Sequence, residues 1–358
     1  MKKRTTLLLA GLLSASMLVG CGKTPNSGFS GTYWLENHAA TNVQADFYEK
    51  IEYNVSFMEP DGDLAPKLYE ITENYLNFIV DEDNSSYVTE LYSEGGLYVY
   101  KTTLTVNGEY VYGESSYKVE NDVTETITKF KGMNDGFACV ESVKKVRNVY
   151  PTVQTPTTTD DFVTLTAEFK TVYGEKNATV TVTPKDKISK DLLVTMQEPV
   201  TVKKYNKKAY MDNDLMLLLF RNFDYDNSLS YTFKSIDCST GTLKEINGAA
   251  RLNQQQDTTN QSAVRAFTIK DTYIENISKY RISHAKYNCF GVTLKTTGEY
   301  SQEFAYAYYA QSVDILNSDE SLASHETDSR HYMVKCYRPA IYNIGYMVYT
   351  IDTVTHQR

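Results

Sequence analysis

Apolar and polar residues alternate with a period of two along most of this chain, the pattern of strands with one buried face. Between positions 47 and 57, Phe47, Ile51, Tyr53, Val55 and Phe57 share a face with Glu49, opposite Tyr48, Lys50, Glu52, Asn54 and Ser56. Residues 75–82 read as a second strand that ends in the acidic turn 81–86. Residues 97–119 hold Asn107-Gly108 between two β-branched and aromatic runs, which predicts a type I′ hairpin turn there. Positions 123–130 and 137–146 continue the meander, and 162–184 predicts another hairpin around 174–177.

The alternation breaks at DNDLMLLLFRNFD, residues 212–224, where six apolar residues follow one another without Gly or Pro. This predicts a buried helix near 212–222, capped by Asp212 or Asn213, although a short apolar run is also compatible with a strand. Strand patterns resume at 229–237, 242–247, 287–296, 303–313, 331–339 and 341–352. Phe304, Tyr306 and Tyr308 share a face opposite Ala305 and Ala307, and Tyr342, Ile344, Tyr346 and Val348 line one side of the last strand. The fold class expected is mainly β (α+β) with antiparallel sheets. Strand-rich lobes at 33–150 and 162–358 are joined by the Pro- and Thr-rich stretch 151–161, and together they form one continuous domain.

The first twenty residues are different. Lys2, Lys3 and Arg4 precede an apolar stretch at 7–18, followed by small residues. About a dozen apolar residues fall short of the ~20 that a membrane-spanning helix needs. Leu18-Val19-Gly20 with Cys21 resembles the lipobox of bacterial lipoproteins. That resemblance implies a diacylglycerol on the Cys21 thiol, cleavage before Cys21, and fatty acylation such as palmitate on the new amino group. With about 0.8 kcal/mol per buried methylene, two or more acyl chains anchor firmly. Residues 21–32, rich in Gly, Ser, Thr and Pro, read as a flexible tether. The location expected is extracytoplasmic, at the cell surface or in the periplasm, with the membrane reached through the lipid.

Charge narrows the partners. The chain carries −9, and removing residues 1–20 with their three cations leaves −12. An acidic surface disfavours nucleic acid and anionic headgroups. Beyond Cys21, the cysteines Cys139, Cys238, Cys289 and Cys336 allow two disulfides in any of three pairings, and equally suit free buried thiols. There are 30 Tyr against 14 Phe and 1 Trp. Tyr joins an apolar ring to a polar tip, which suits half-wet sheet faces and binding surfaces.

Candidate chemistry is sparse. His325 and His331 in HETDSRH lie six apart, not one helical turn apart as in a metalloprotease helix. DYDNS (224–228) and DEDNSS (81–86) lack the sixth-position glycine and the closing Glu of a calcium loop, and turn chemistry accounts for both. No nucleophile elbow, Walker loop or dinucleotide fingerprint is present. The sequence assigns no catalytic residue, metal or cofactor, and a hydrolase ranks third among the functions weighed.

LYVYKTTLTVNGEYVYGESSYKV, VTETITKF with ACVESVKKVRNVYP, YMDNDLMLLLFRNFD, and KYNCFGVTLKT with EFAYAYYAQ follow one another as hairpin, returning strand, inserted helix and second meander. In this order they resemble the periplasmic lipoprotein-carrier group. The resemblance implies strongly curved antiparallel sheets forming an open or half barrel, with an apolar concave face that shelters an acyl chain or similar ligand. The first functional expectation is therefore a lipid-anchored binding protein holding an apolar or amphipathic ligand, with Tyr98, Tyr100, Tyr306, Tyr308 and Tyr346 as binding residues. The second is a cell-surface interaction or structural module that meets glycan or protein through outward tyrosines.

Overall fold

A computed structural model describes residues 29–58, 75–193, 198–203, 211–223, 229–238, 241–252, 279–282, 289–296, 303–316 and 322–356. The strands of the first half are β1 (Tyr48–Met58), β2 (Asn77–Val80), β3 (Ser86–Glu94), β4 (Leu97–Tyr112), β5 (Ser115–Phe130), β6 (Cys139–Pro151), β7 (Phe162–Tyr173), β8 (Asn177–Pro184) and β9 (Val200–Lys203). Those of the second are β10 (Leu229–Asp237), β11 (Thr242–Leu252), β12 (Lys279–Ile282), β13 (Cys289–Thr296), β14 (Glu303–Ala310), β15 (Val313–Leu316), β16 (Leu322–Asp328), β17 (Met333–Pro339) and β18 (Tyr346–His356). Among the described residues the α-helices are short, α1 (Lys187–Leu192) and α2 (Leu215–Leu219), beside several 3-10 turns.

An antiparallel path runs β9–β8–β7–β6–β5–β4–β3–β1. It crosses to β18 and continues β17–β14–β13–β11–β10. The first and last thirds of the chain thus meet along β1 and β18, and one sheet carries strands of both lobes. Among the described residues the sheet is not closed, so the architecture is an open barrel of mostly β structure. β2 extends the far half of β4, and β12 attaches to the end of β18 and leads through β15 to β16.

The concave side is filled from within. All five residues of α2 are buried, as befits a helix apolar on every side. Each such Leu contributes roughly 1.5–3 kcal/mol when taken out of water. Room for the helix comes from small residues on the facing strands. Gly248 and Ala305 flank Leu294 in register, and a Cβ on Gly248 would lie 2.1 Å from Phe220 Cζ. Below α2, Phe29, Trp34 and Leu35 close one end of the barrel. Phe29 stacks on Phe223 at 5.0 Å and meets Phe137 edge-on at 4.9 Å, and Trp34 meets Tyr98 edge-on at 5.5 Å.

Several sequence expectations need correction. Asn107-Gly108 is not a turn: β4 runs straight through it, and the hairpin closes at Gly113. The irregularity at 107–108 is a bulge. Glu120 and Asn121 on β5 oppose the single residue Asn107, and Asn121 sits in the left-handed region with φ 55°. Glycine is required at 108 because a Cβ there would come within 2.2 Å of Ile79 O on β2. Residues 29–32, assigned by composition to the tether, are ordered: Phe29 and Thr32 are buried, and the Ser30 N–H and Oγ both donate to Asn222 O. Tyr342 and Ile344 belong to the turn before β18, not to the strand. Stretch 152–161 is the loop of a hairpin, since β6 and β7 pair up to Pro151 and Phe162. The helix lies within the expected 212–222 but is shorter, Leu215–Leu219 followed by a 3-10 turn at Phe220–Asn222, and its N-cap is Asp214.

Candidate functional site

The inner face of β4–β7 near the start of α2 is polar. Alternation brings Tyr100 and Thr102 of β4, Thr126 and Thr128 of β5, Ser142 and Lys144 of β6, and Thr171 of β7 to the concave side. Thr128 and Ser142 share a hydrogen bond of 2.8 Å. Asp212 and Asp214 enter this row from the chain leading into α2.

Asp214 is the centre of the cluster. Its carboxylate accepts from Thr126 Oγ1 at 2.9 Å and from Lys144 Nζ at 3.4 Å, and both Arg338 terminal nitrogens lie 3.5 Å from Oδ1. Burial opposes its ionised form, but Lys144 and Arg338 hold its carboxyl well below the usual range. Asp212 Oδ1 accepts from the Asp214 N–H at 2.9 Å, and the Asp212 N–H donates to Cys139 Sγ at 3.3 Å. Burial, and next the adjacent Asp214 charge, push Asp212 well above the usual carboxylate range. With Asp212 protonated the two cations and two acids sum to +1, and with it ionised to zero.

The acids are enclosed while the cations are not. Asp214's side chain is 9% accessible, against 23% for Lys144 and 29% for Arg338. Both cations sit farther from Asp214 than the ~2.7–2.9 Å of a tight charge-assisted bond, so neither is saturated by it. Around Arg338 stand the phenols of Tyr87 and Tyr349, whose rings stack at 4.5 Å. Farther along the strands Leu104, Val106, Leu165 and Met347 are only half-buried. This stretch of the concave face, the Lys144–Arg338 cup, is thus ionic beside α2 and, apart from Asp122 opposite Val106, apolar farther along.

A second ionic network fixes the other end of the helix segment. Arg221 donates to both oxygens of Glu49, at 2.5 and 2.9 Å, with side chains 3% and 2% accessible. Its Nε donates to Arg330 O, and its own carbonyl meets His331 Nδ1 at 2.9 Å. Tyr332 Oη and His356 Nε2 lie 2.6 Å apart. Burial lowers His331 to about 4, which keeps it neutral under Tyr33, stacked at 3.8 Å. This network is enclosed on all sides and reads as a clamp.

Of the five tyrosines singled out from sequence, Tyr100 alone is placed beside the ionic base, 5% exposed with burial raising its phenol. Tyr98 is packed in the plug, where its Oη accepts from the Gln44 N–H. Tyr306, Tyr308 and Tyr346 lie across β14 and β18 from α2, in a buried aromatic group around Tyr337 with ring separations of 6.4, 6.2 and 6.4 Å. Cys21 lies outside the described residues. Cys139, Cys238 and Cys336 are buried thiols that form no disulfide. Residues 81–86 form a turn in which Asp81 Oδ1 accepts from the Asn84 N–H. No group of metal-ligating side chains occurs among the described residues.

Sequence reasoning missed Lys144, Arg338 and Asp214. The available signal was weak: an inward-phase lysine between Ser142 and Val146, and two acids directly before the most apolar run in the chain.

The chain is similar in structure to a β-barrel-like protein of the domain of unknown function DUF1849 from Brucella abortus. The TM-score is 0.43 and the identity 8%, covering 88% of this chain and 100% of that one. No family model and no curated protein matches the chain.

Proposed function

We propose that this protein is an extracytoplasmic binding protein, tethered through lipid on Cys21, that holds an amphipathic ligand by its anionic head. Lys144 and Arg338 take the head, and the half-buried wall of Leu104, Val106, Leu165 and Met347 takes the apolar part. The observation that carries this reading is the exposure pattern of the cluster: beside the buried Asp214, two cations remain about a quarter accessible. Burying charge is costly unless it is fully paired. A purely structural pin would enclose the cations together with Asp214, as the Arg221–Glu49 clamp does. The two acids converge on one site, as a hydrolase would require, but they are the least accessible members, so the arrangement favours holding an anion over proton transfer to a substrate.

The test has two arms. Organic extraction of the purified full chain followed by mass spectrometry should recover an anionic lipid-like molecule. Displacement of a fluorescent fatty acid should then be weakened about tenfold or more in Lys144→Met, while the matching fatty alcohol is unaffected. Equal affinity of wild type and variant for the acid would overturn the assignment. Acyl mass on Cys21, read from the N-terminal peptide, checks the tether separately.

A further inference from the structure

A different place, on the outer face of the sheet, has the make-up of a second binding site. Where β1, β3 and β4 run side by side, Asp46, Phe47, Tyr48, Glu90, Tyr92, Ser93 and Lys101 line an open groove of about 470 Å³. Tyr48 and Tyr92 are directly opposed across β1 and β3, and both are half-buried. Glu90 accepts from Tyr48 Oη at 3.3 Å and pairs with Lys101 at 3.2 Å. Ser93 Oγ accepts from the Phe47 N–H, which fixes the β1 entry against β3. Asp46, which lines the groove where β1 begins, is exposed and held in the left-handed region at φ 56°.

Much of the described outer face consists of Lys–Glu ladders, such as Lys145–Glu125, Lys170–Glu141 and Lys185–Glu168, which need no ligand to explain them. The groove's Glu90–Lys101 pair ends such a ladder, Lys101 also lying 3.7 Å from Glu125, and what sets the groove apart is the cross-strand pair of half-buried tyrosines beside it. Glu90 is already met by Lys101 and Tyr48, so the local balance is about one negative charge, carried by Asp46. Such a surface repels anions. It suits a neutral polyol: apolar C–H faces lie on the rings, hydroxyls donate to Asp46 and Glu90, and the Lys101 ammonium donates back. The volume falls within the ~300–1,000 Å³ typical of small-molecule sites.

We propose that this groove is a carbohydrate-binding site for short neutral oligosaccharide segments, with Tyr48 and Tyr92 as the platform and Asp46 as the hydroxyl acceptor. It is independent of the Lys144–Arg338 cup, which lies on the opposite face of the sheet. Saturation-transfer NMR on the full chain with cellotriose, maltotriose and chitotriose at millimolar concentration tests it, with tetralysine as competitor. The expected result is transfer to ring C–H protons of at least one trisaccharide. Tyr92→Ala should abolish the transfer, Tyr92→Phe should retain it, and Asp46→Asn should weaken it about tenfold. Asp46→Asn carries the test if Tyr92→Ala fails to fold, since Asp46 is exposed and Asn tolerates the same backbone conformation. Absence of transfer from all three sugars, transfer unchanged in both Tyr92→Ala and Asp46→Asn, or displacement by tetralysine would each overturn the proposal. Lys144→Met, which probes the cup, should leave sugar transfer unchanged.

Discussion

Replacing Asp122 by Asn should make the protein more stable at neutral pH and leave it unchanged in acid. Asp122 sits on β5 beside the bulge, with its side chain 13% accessible. One oxygen accepts from the Val149 N–H at 2.8 Å, and the other makes no hydrogen bond. Arg147 is the nearest cation, but its Nη1 donates to the Glu120 and Asn121 carbonyls at 2.7 and 3.1 Å and stands 3.8 Å from the carboxylate. The bulge leaves those carbonyls without strand partners, and the guanidinium serves them first. Burial therefore dominates and lifts Asp122 from 3.8 to about 7. About three units at ~1.4 kcal/mol each give roughly 4 kcal/mol, an upper bound for a slightly exposed group.

The sign follows from proton counting. Between pH 4 and 7 the folded protein keeps a proton that the unfolded chain has released, so stability present below pH 4 is lost as pH rises through 7. An amide at this position keeps an acceptor for Val149 and does not ionise. Urea unfolding of both proteins at about pH 4.5, 6 and 8, followed by circular dichroism, should show the Asp122→Asn variant gaining on wild type at each step. A difference that stays constant with pH would refute the claim that a buried, half-satisfied carboxylate resides here.

Glu49→Gln strips the charge that compensates Arg221 and should cost about 3–5 kcal/mol in urea unfolding; a loss under about 1 kcal/mol would show the clamp to be solvated. Gly248→Ala should cost about 1–3 kcal/mol by overpacking against Phe220, with Phe220→Leu recovering part of the loss in the same assay. Cys139, Cys238 and Cys336 should resist a thiol reagent in the native state and react in denaturant, as peptide mapping of the label would reveal, since burial raises Cys238 and pushes Cys336 up to about 12.

Much of the fold was legible because strand patterning is local. The period-two face of residues 47–57 became β1, and even its one discordant member was informative: Glu49 follows the inward phase because Arg221 waits there. The run at 215–219 announced a helix with no solvent face. Asn107-Gly108 misled because the same dipeptide serves a hairpin turn or a strand that must admit a close neighbour. What decides between them is β2, whose Ile79 carbonyl presses on position 108 from elsewhere in the chain.

The sequence by itself determined which residues share a face on each strand, where the alternation breaks for α2 and that the chain is mostly β, since these depend on neighbours a few positions away. Only the tertiary structure decided what the concave face meets. It brought Asp214, Lys144 and Arg338 together from positions 70 and 124 residues apart, and it turned Tyr306 and Tyr308 away from α2 while keeping Tyr100 beside the acids. Local pattern sets the phase of a strand, but which side becomes the interior depends on how the whole sheet curls around its contents.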